Sequence, residues 1–332
     1  MTAKLKHILR RPWLRIAGSL LILSVLLAFL PLHKLVAALR IIPVSLWACV
    51  LLAFLTTHLL GAVKWRLTLR LSDARLSFAQ AIRCYFAGVF GTLFLPSIVG
   101  GDVVRMGVAF RVQRNRAAVV LGSLVDRLLD MVALAVVAGA GVLLLPGALD
   151  QRHRRAFMIL AALFAAAFAA LLGLLIFMPW QRLPYKLRRI SVKLRRAARS
   201  MASRPQYVLV SFTLGIVIQT SLLTLSLALA EACGLHIDFR VWLLVWPLAK
   251  LLAVVPLTLG GLGVREAGLA AMLAPFGVSP AVAVAAGLAW ESIILAGGLC
   301  AGLISFLVGG SAFARTVLHS NRAGSKELTD AA

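Results

Sequence analysis

Leu95-Pro-Ser-Ile-Val-Gly-Gly-Asp102 and Pro256-Leu-Thr-Leu-Gly-Gly-Leu-Gly-Val-Arg-Glu266 each interrupt a long apolar stretch with helix breakers followed at once by charge. Irregular backbone at bilayer depth is tolerated only where protein buries it or water reaches it, and ionisable side chains there usually serve a pathway. The two interruptions therefore predict a membrane protein with a polar site where the two breaks meet.

Composition agrees with that class. The chain is 61% hydrophobic with a mean hydropathy of +0.97, which leaves too little polar surface to cover a water-soluble globule. A formal net charge of +24 raises the question of nucleic acid. The basic residues nevertheless fall in blocks beside apolar runs, without zinc-finger spacing, an RNA-binding signature or an aromatic-basic strip, so no nucleic-acid partner is expected. Topology signals and anionic lipid surfaces account for the charge. Cys49, Cys84, Cys233 and Cys300 are scattered, without CxxC or CxxH pairs, and predict neither a disulfide framework nor a metal site. His33, His58, His153 and His236 likewise lack ligand spacing, and no cofactor is implied. The basic stretch Lys4 to Arg15 followed by an apolar run to Leu30 lacks a convincing cleavage site and is read as a retained first span.

Apolar runs long enough to cross about 30 Å of hydrocarbon lie at 14–32, 41–63, 117–145, 156–178, 207–232 and 281–308, giving six expected full spans. Regions 78–112 and 241–276 break at their centres and are read as re-entrant helical hairpins. Charge selects that reading. With both hairpins returning to the side they enter, Lys64, Arg66, Arg70, Arg75, Arg105, Arg111 and the basic linker 179–206 all face inside, as the positive-inside rule requires. A single crossing by either hairpin would place basic loops outside. The expected fold class is thus all-α: one membrane domain over 1–332, a first repeat at 41–146, a cytoplasmic linker at 179–206, a second repeat at 207–308 and a cytoplasmic tail at 309–332. Span, hairpin and span recur in opposite orientation, an inverted repeat of the kind that places transport sites near the midplane. Both termini should be cytoplasmic, in the inner (plasma) membrane. Within the linker, Leu187, Ile190 and Leu194 have the spacing of an amphipathic surface helix; a plain basic loop is the alternative.

Residue chemistry narrows the candidates. Asp102 and Arg105 follow Gly100 and Gly101, where a second half-helix is expected to begin and to point its N-terminal dipole at an anion such as phosphate. Arg105 would supply a bidentate contact, while Asp102 would orient it or cap the helix. Gly260, Gly261 and Gly263 allow a sharp turn, with Arg265 and Glu266 in the equivalent place. The plain alternative is that both pairs only fix their hairpins. Asp126, Arg127 and Asp130 form a charged cluster in an apolar span; the two carboxylates share one helical face, and in low dielectric such a pair favours uptake of a proton. A structural ion pair is the alternative. Lys250 and Glu291 are placed to neutralise each other or to meet Arg265. No Ser-His-Asp order, phosphate-loop lysine or HExxH helix supports a hydrolase, ATPase or metalloprotease.

Three motifs in order, Gly91-Thr-Leu-Phe-Leu-Pro-Ser-Ile-Val-Gly-Gly-Asp-Val-Val-Arg105, Ser123-Leu-Val-Asp-Arg-Leu-Leu-Asp130 and Pro256 to Glu266, resemble the lysylphosphatidylglycerol synthase transmembrane region, or flippase-like domain family. The resemblance runs from about residue 12 to about 310. It implies a stand-alone member without the aminoacyl-transferring domain, not an enzyme, of a family that includes proteins associated with hopanoid and glycolipid pathways. Ala289-Trp-Glu-Ser292 departs from the family, many of whose members carry Arg in the last span. The expected function is movement of a phospholipid or related amphiphile between leaflets, with membrane lipids, anionic or phosphate-bearing, as partners, alongside a second copy or a lipid-synthesis protein. Arg105, Arg265 and Lys250 would contact phosphate; Asp102, Asp126, Asp130, Glu266 and Glu291 would balance charge or carry protons. A soluble-anion transporter, a lipid-carrier-dependent membrane transferase and a non-catalytic scaffold for lipid synthesis stand as alternatives.

Overall fold

The computed structural model describes residues 40–94, 98–144, 203–252 and 263–329, with isolated positions at 155, 158, 159, 162 and 166; side chains of the last helix are described as far as residue 309. The expected span at 14–32, that at 156–178 apart from positions 158, 159, 162 and 166, the amphipathic run of the linker, and the hairpin tips with Gly260 and Gly261 lie outside the described residues.

Among the described residues all regular structure is helical: α1 (Val44–Leu71), α2 (Phe78–Gly91), α3 (Ile98–Val112), α4 (Arg116–Leu144), α5 (Pro205–Ala232), α6 (Phe239–Leu252), α7 (Val264–Leu273), a 3₁₀ turn (Ala274–Phe276) and α8 (Pro280–Thr329). Four of these, α1, α4, α5 and the Pro280–Gly309 part of α8, are long and apolar enough to cross a membrane, with mean hydropathies of 2.0 to 2.1. Their outward faces carry Leu52, Val120, Leu209, Leu303 and Phe306, all exposed. A stable molecule exposes such faces in quantity only to lipid. The helices α2, α3 and α6 have 14 or 15 residues, about 21 Å at 1.5 Å per residue, too short to cross about 30 Å of hydrocarbon.

Local sequence sets the boundaries. Helix α1 ends in a Schellman motif: the N–H of Ala74 donates to the Leu69 carbonyl at 2.9 Å and that of Asp73 to Arg70 at 3.3 Å. Asp73 holds the left-handed position at φ 61°. Helix α2 opens with a capping box between Ser77 and Gln80. Helix α5 opens on Pro205, and Ser279 caps α8 through the N–H of Val282. Helix α7 starts at Gly263, whose φ of 85° favours glycine.

Contacts fix how the helices run. Gly122 of α4 packs on Leu69 of α1, and Trp65 donates to Ser123 Oγ at 3.0 Å, so α4 starts beside the end of α1. Gln113 donates to the Arg75 carbonyl at 3.2 Å, joining the exit of α3 to the approach of α2. The α2–α3 pair therefore leaves and returns at the same end of the bundle. At that end Arg204 and Tyr207, opening α5, share a cavity with Arg66 and Arg70 of α1, so α5 runs antiparallel to α1. Its far end delivers α6, whose Leu243 and Leu244 lie against Gly141 near the end of α4. Helix α8 starts at that far end too, since Gly298 meets Leu93, just past α2, and Gly302 and Gly309 meet Phe90 and Arg83 of α2, in antiparallel order.

Two expectations change. Helix α3 begins at Ile98, so Gly100, Gly101 and Asp102 lie inside it, and Asp102 is no cap. Gly101 instead lets α3 close on α2: a Cβ there would stand 2.7 Å from the Gly88 carbonyl oxygen and 2.4 Å from Thr92 Cγ2. Helix α1 also runs eight residues past the expected end of its span, to Leu71, and carries Lys64 into the interior rather than to an inside loop.

Candidate functional site

Three helices converge on a ring of alternating charge. Asp102 pairs with Arg105 at 3.0 Å, Arg105 with Asp126 at 3.2 Å, Asp126 with Lys64 at 2.7 Å, Lys64 with Asp130 at 2.9 Å, and Asp130 with Arg127 at 3.9 Å. Arg127 closes the circuit by forking onto Asp102 through Nε and Nη2, the latter at 2.6 Å. Helix α1 supplies Lys64, α3 supplies Asp102 and Arg105, and α4 supplies Asp126, Arg127 and Asp130. Three cations face three anions, so the ring is neutral. Such pairing is what allows charges to persist away from water, because removing any one leaves its partner uncompensated.

The ring is unevenly covered. Lys64 is only 2% exposed and Asp126 and Arg105 are equally deep, whereas the Arg127 side chain is 36% exposed. The Arg105 guanidinium lies over Trp65 at 4.8 Å and Tyr85 at 5.3 Å, in cation–π geometry. Its Nε has no hydrogen-bond partner among the described residues. Arg127 and its 3.9 Å approach to Asp130 thus form the loosest and most accessible edge.

A second cluster sits at the start of α7. Glu266 is fully buried and accepts from the N–H of Gly263 at 2.6 Å, capping its own helix. Arg265 donates to Glu266 Oε1 at 2.5 Å, to Glu291 Oε2 at 2.9 Å and to the Gly287 carbonyl at 3.1 Å. Gly287 makes that approach feasible, since a Cβ there would lie 2.8 Å from Glu266 Cγ. Glu291 therefore meets Arg265, while Lys250, half-buried on α6, donates to Gln219 Oε1 at 2.7 Å. Gly215, one turn before Gln219, brings α5 near Asp130: a Cβ there would be 3.9 Å from its Oδ1.

Several expected site residues are thus brought together, in two groups: Asp102, Arg105, Asp126, Arg127 and Asp130 in one, Arg265, Glu266 and Glu291 in the other. Arg105 and Arg265 are already held by carboxylates, so an incoming anion must exchange with those pairs. Lys64 bridges Asp126 and Asp130, so an ammonium balances the two carboxylates for which proton uptake by one of them is the expectation from sequence. Lys64, Gln219, Trp65 and Tyr85 were not among the sequence candidates. The available signal for Lys64 is that apolar residues continue past it, through Leu67, Leu69 and Leu71, so the helix need not stop at 63.

Comparison with known proteins can now be set beside this geometry. The model of the family described as Lysylphosphatidylglycerol synthase TM region matches residues 13–302. The chain belongs to that family. Neither a curated protein nor a solved structure gives a match. The family's matched stretch takes in both charge clusters of this LPG synthase TM-region protein, and the apolar helices place it among membrane proteins connected with lipid metabolism or transport. Within its described residues no three His, Cys, Asp or Glu side chains gather as a metal-binding set.

Proposed function

We propose that this membrane domain moves the polar head of a phospholipid or related amphiphile between leaflets, through a polar passage formed where two re-entrant hairpins meet. The observation that carries this reading is the closed ring of six charges on α1, α3 and α4. A neutral alternating ring can open at one edge and accept a headgroup by ion-pair exchange, so that neither the phosphate nor the displaced carboxylate stands unpaired in hydrocarbon. The accessible edge at Arg127 and Asp130 is where that exchange begins. A phosphate takes the Arg127 fork while Asp130 remains with Lys64. Arg105 and Arg265 then receive the headgroup deeper in the passage, and Lys250, held by a neutral amide, is the cation most readily released to it. The acyl chains stay in lipid throughout, and no chemical step is assigned to the protein.

The architecture supports the same reading. Helices α1 to α4 and α5 to α8 repeat one order of long, short, short and long elements. The packing pairs repeat with them: α2 against α8 answers α6 against α4, and α1 against α4 answers α5 against α8. Asp126 and Glu291 stand at similar depth in their helices, each facing an arginine from the neighbouring hairpin. We read the domain as an inverted repeat of six spans and two opposed hairpins, with both termini cytoplasmic in the inner membrane.

The test is dithionite quenching of headgroup-labelled anionic and zwitterionic lipids in proteoliposomes. The wild-type protein should speed loss of the protected inner-leaflet signal, and Arg127→Gln, Arg105→Ala and Arg265→Ala should slow it. Arg127→Gln is the decisive variant, because its half-open position lets the fold survive. An unaltered rate in a folded Arg127→Gln protein would remove the ring from the pathway. Uptake of a soluble anion without any lipid exchange would reject the lipid substrate.

A further inference from the structure

A cavity of about 440 Å³, lined by no residue of either charge cluster, lies at the end of the bundle where α1 stops and α5 starts. Its walls carry Arg66, Arg70, Arg75 and Arg204 against one acid, Asp73, with Ser77 and Tyr207 beside them. Four guanidinium groups around one space repel one another unless an anion sits among them. Arg66 is fixed in place because its Nε donates to the Leu76 carbonyl at 2.9 Å, which leaves the outer edge of its fork directed away from that bond. Helix α5 begins here without a side-chain cap, so its positive end adds to the same field.

The depth of the cavity matters as much as its charge. Helix α1 has 28 residues, about 42 Å at 1.5 Å per residue, and overruns about 30 Å of hydrocarbon. Its last turns, with Arg66 and Arg70, reach the headgroup layer. Tyr207, exposed on α5, has the position of an interfacial aromatic. We propose that this cavity is a binding site for a phosphate group carrying two or more negative charges, a phosphomonoester or diphosphate. Arginine forks match phosphate oxygens bidentately, and the excess of cations over Asp73 favours a multiply charged group over a phosphodiester. A lipid and a soluble molecule can both carry such a group, and the recognition chemistry is the same. The site does not depend on the translocation reading, since none of its residues belongs to the charged ring.

Asp73 gives the site a built-in counterion. It lies at the cavity wall because the Schellman turn holds it there, and its carboxylate competes with any incoming phosphate. Removing that charge strengthens anion binding, whereas removing arginines weakens it. The two directions separate binding from misfolding.

The experiment uses the full-length protein. Inorganic pyrophosphate is titrated onto detergent-solubilised protein, and phosphatidylcholine nanodiscs are prepared with phosphatidic acid or, at the same mole fraction, phosphatidylglycerol. Ligand-induced stabilisation is read from the unfolding midpoint. Arg70→Gln with Arg75→Gln should weaken binding at least about tenfold, the loss expected when charge-assisted hydrogen bonds are removed. Asp73→Asn, which keeps the left-handed turn, should tighten it several-fold. Arg111→Gln with Arg114→Gln removes two exposed charges from the same end of the bundle but outside the cavity, and should leave binding unchanged. Binding of pyrophosphate alone identifies a soluble ligand, and binding of phosphatidic acid alone a lipid; either supports the site. No binding of either probe, equal binding by the Arg70/Arg75 variant, or equal loss in the Arg111/Arg114 control overturns it.

Discussion

Lys64 holds two carboxylates from another helix while having almost no access to solvent, so its removal leaves Asp126 to Arg105 alone and Asp130 to the distant Arg127. Lys64→Gln is expected to destabilise the protein by about 3 to 5 kcal/mol, the range for breaking a buried ion pair from one side. Pairing it with Asp130→Asn removes one of those carboxylate charges and should recover part of the loss, giving a coupling well above the error of a double-mutant cycle. Thermal unfolding in detergent measures both; additive effects would mean that the Lys64 contact at 2.9 Å carries no energy. Five members of this ring were legible in sequence, as an Asp102–Arg105 pair and a separate Asp126–Arg127–Asp130 cluster, because charges in an apolar run stand out. Lys64 did not stand out, since a lysine near the end of a hydrophobic stretch has the pattern of an interfacial anchor. Only the continuation of α1 to Leu71 and the approach of α4 distinguish the two cases.

Helix ends and helix contacts are the next scale, and they respond to different substitutions. Asp73 occupies φ 61°, where glycine has no steric cost, so Asp73→Gly should stabilise the end of α1 by up to about 1 kcal/mol. Gly88→Ala should act in the opposite sense. Its Cβ would stand 2.8 Å from the Gly101 carbonyl oxygen and 2.9 Å from Arg105 Cβ, forcing α2 and α3 apart at a cost of about 1 to 3 kcal/mol. Because α3 carries Arg105 and Asp102, the same change should also slow lipid exchange in proteoliposomes, beyond what the lost stability explains. If Gly88→Ala leaves both midpoint and rate untouched, the close packing of this hairpin has no functional weight. These elements were legible from sequence in outline. The expected limits 78–112 coincide with the outer ends of α2 and α3, the first of them set by the Ser77 capping box. The start of α3 was misplaced because Gly-Gly reads as a turn, whereas here it serves a helix contact that no local pattern reveals.

At the scale of the whole molecule, orientation is the property that decides whether the two halves work as opposed gates. Arg75 and Arg114 flank the α2–α3 pair, and both are exposed at the end where α1 stops. His236 and Ala274 flank the α6–α7 pair, exposed at the far end of the bundle. In an inverted repeat these two pairs face opposite sides of the membrane. Single cysteines at each position, in a background with Cys49, Cys84, Cys233 and Cys300 replaced, should therefore divide cleanly. A membrane-impermeant maleimide should label His236→Cys and Ala274→Cys in intact spheroplasts, and Arg75→Cys and Arg114→Cys only after permeabilisation. The expected side follows from charge: the α1-exit end holds Arg66, Arg70, Arg75, Arg114 and Arg116, and under the positive-inside rule such an end would face the cytoplasm. Labelling of all four positions from one side would mean that the hairpins share a face, and a passage between opposed hairpins would then have no second exit. Labelling of the pairs from opposite sides but with the order reversed would keep the passage while placing the arginine cavity outside the cell.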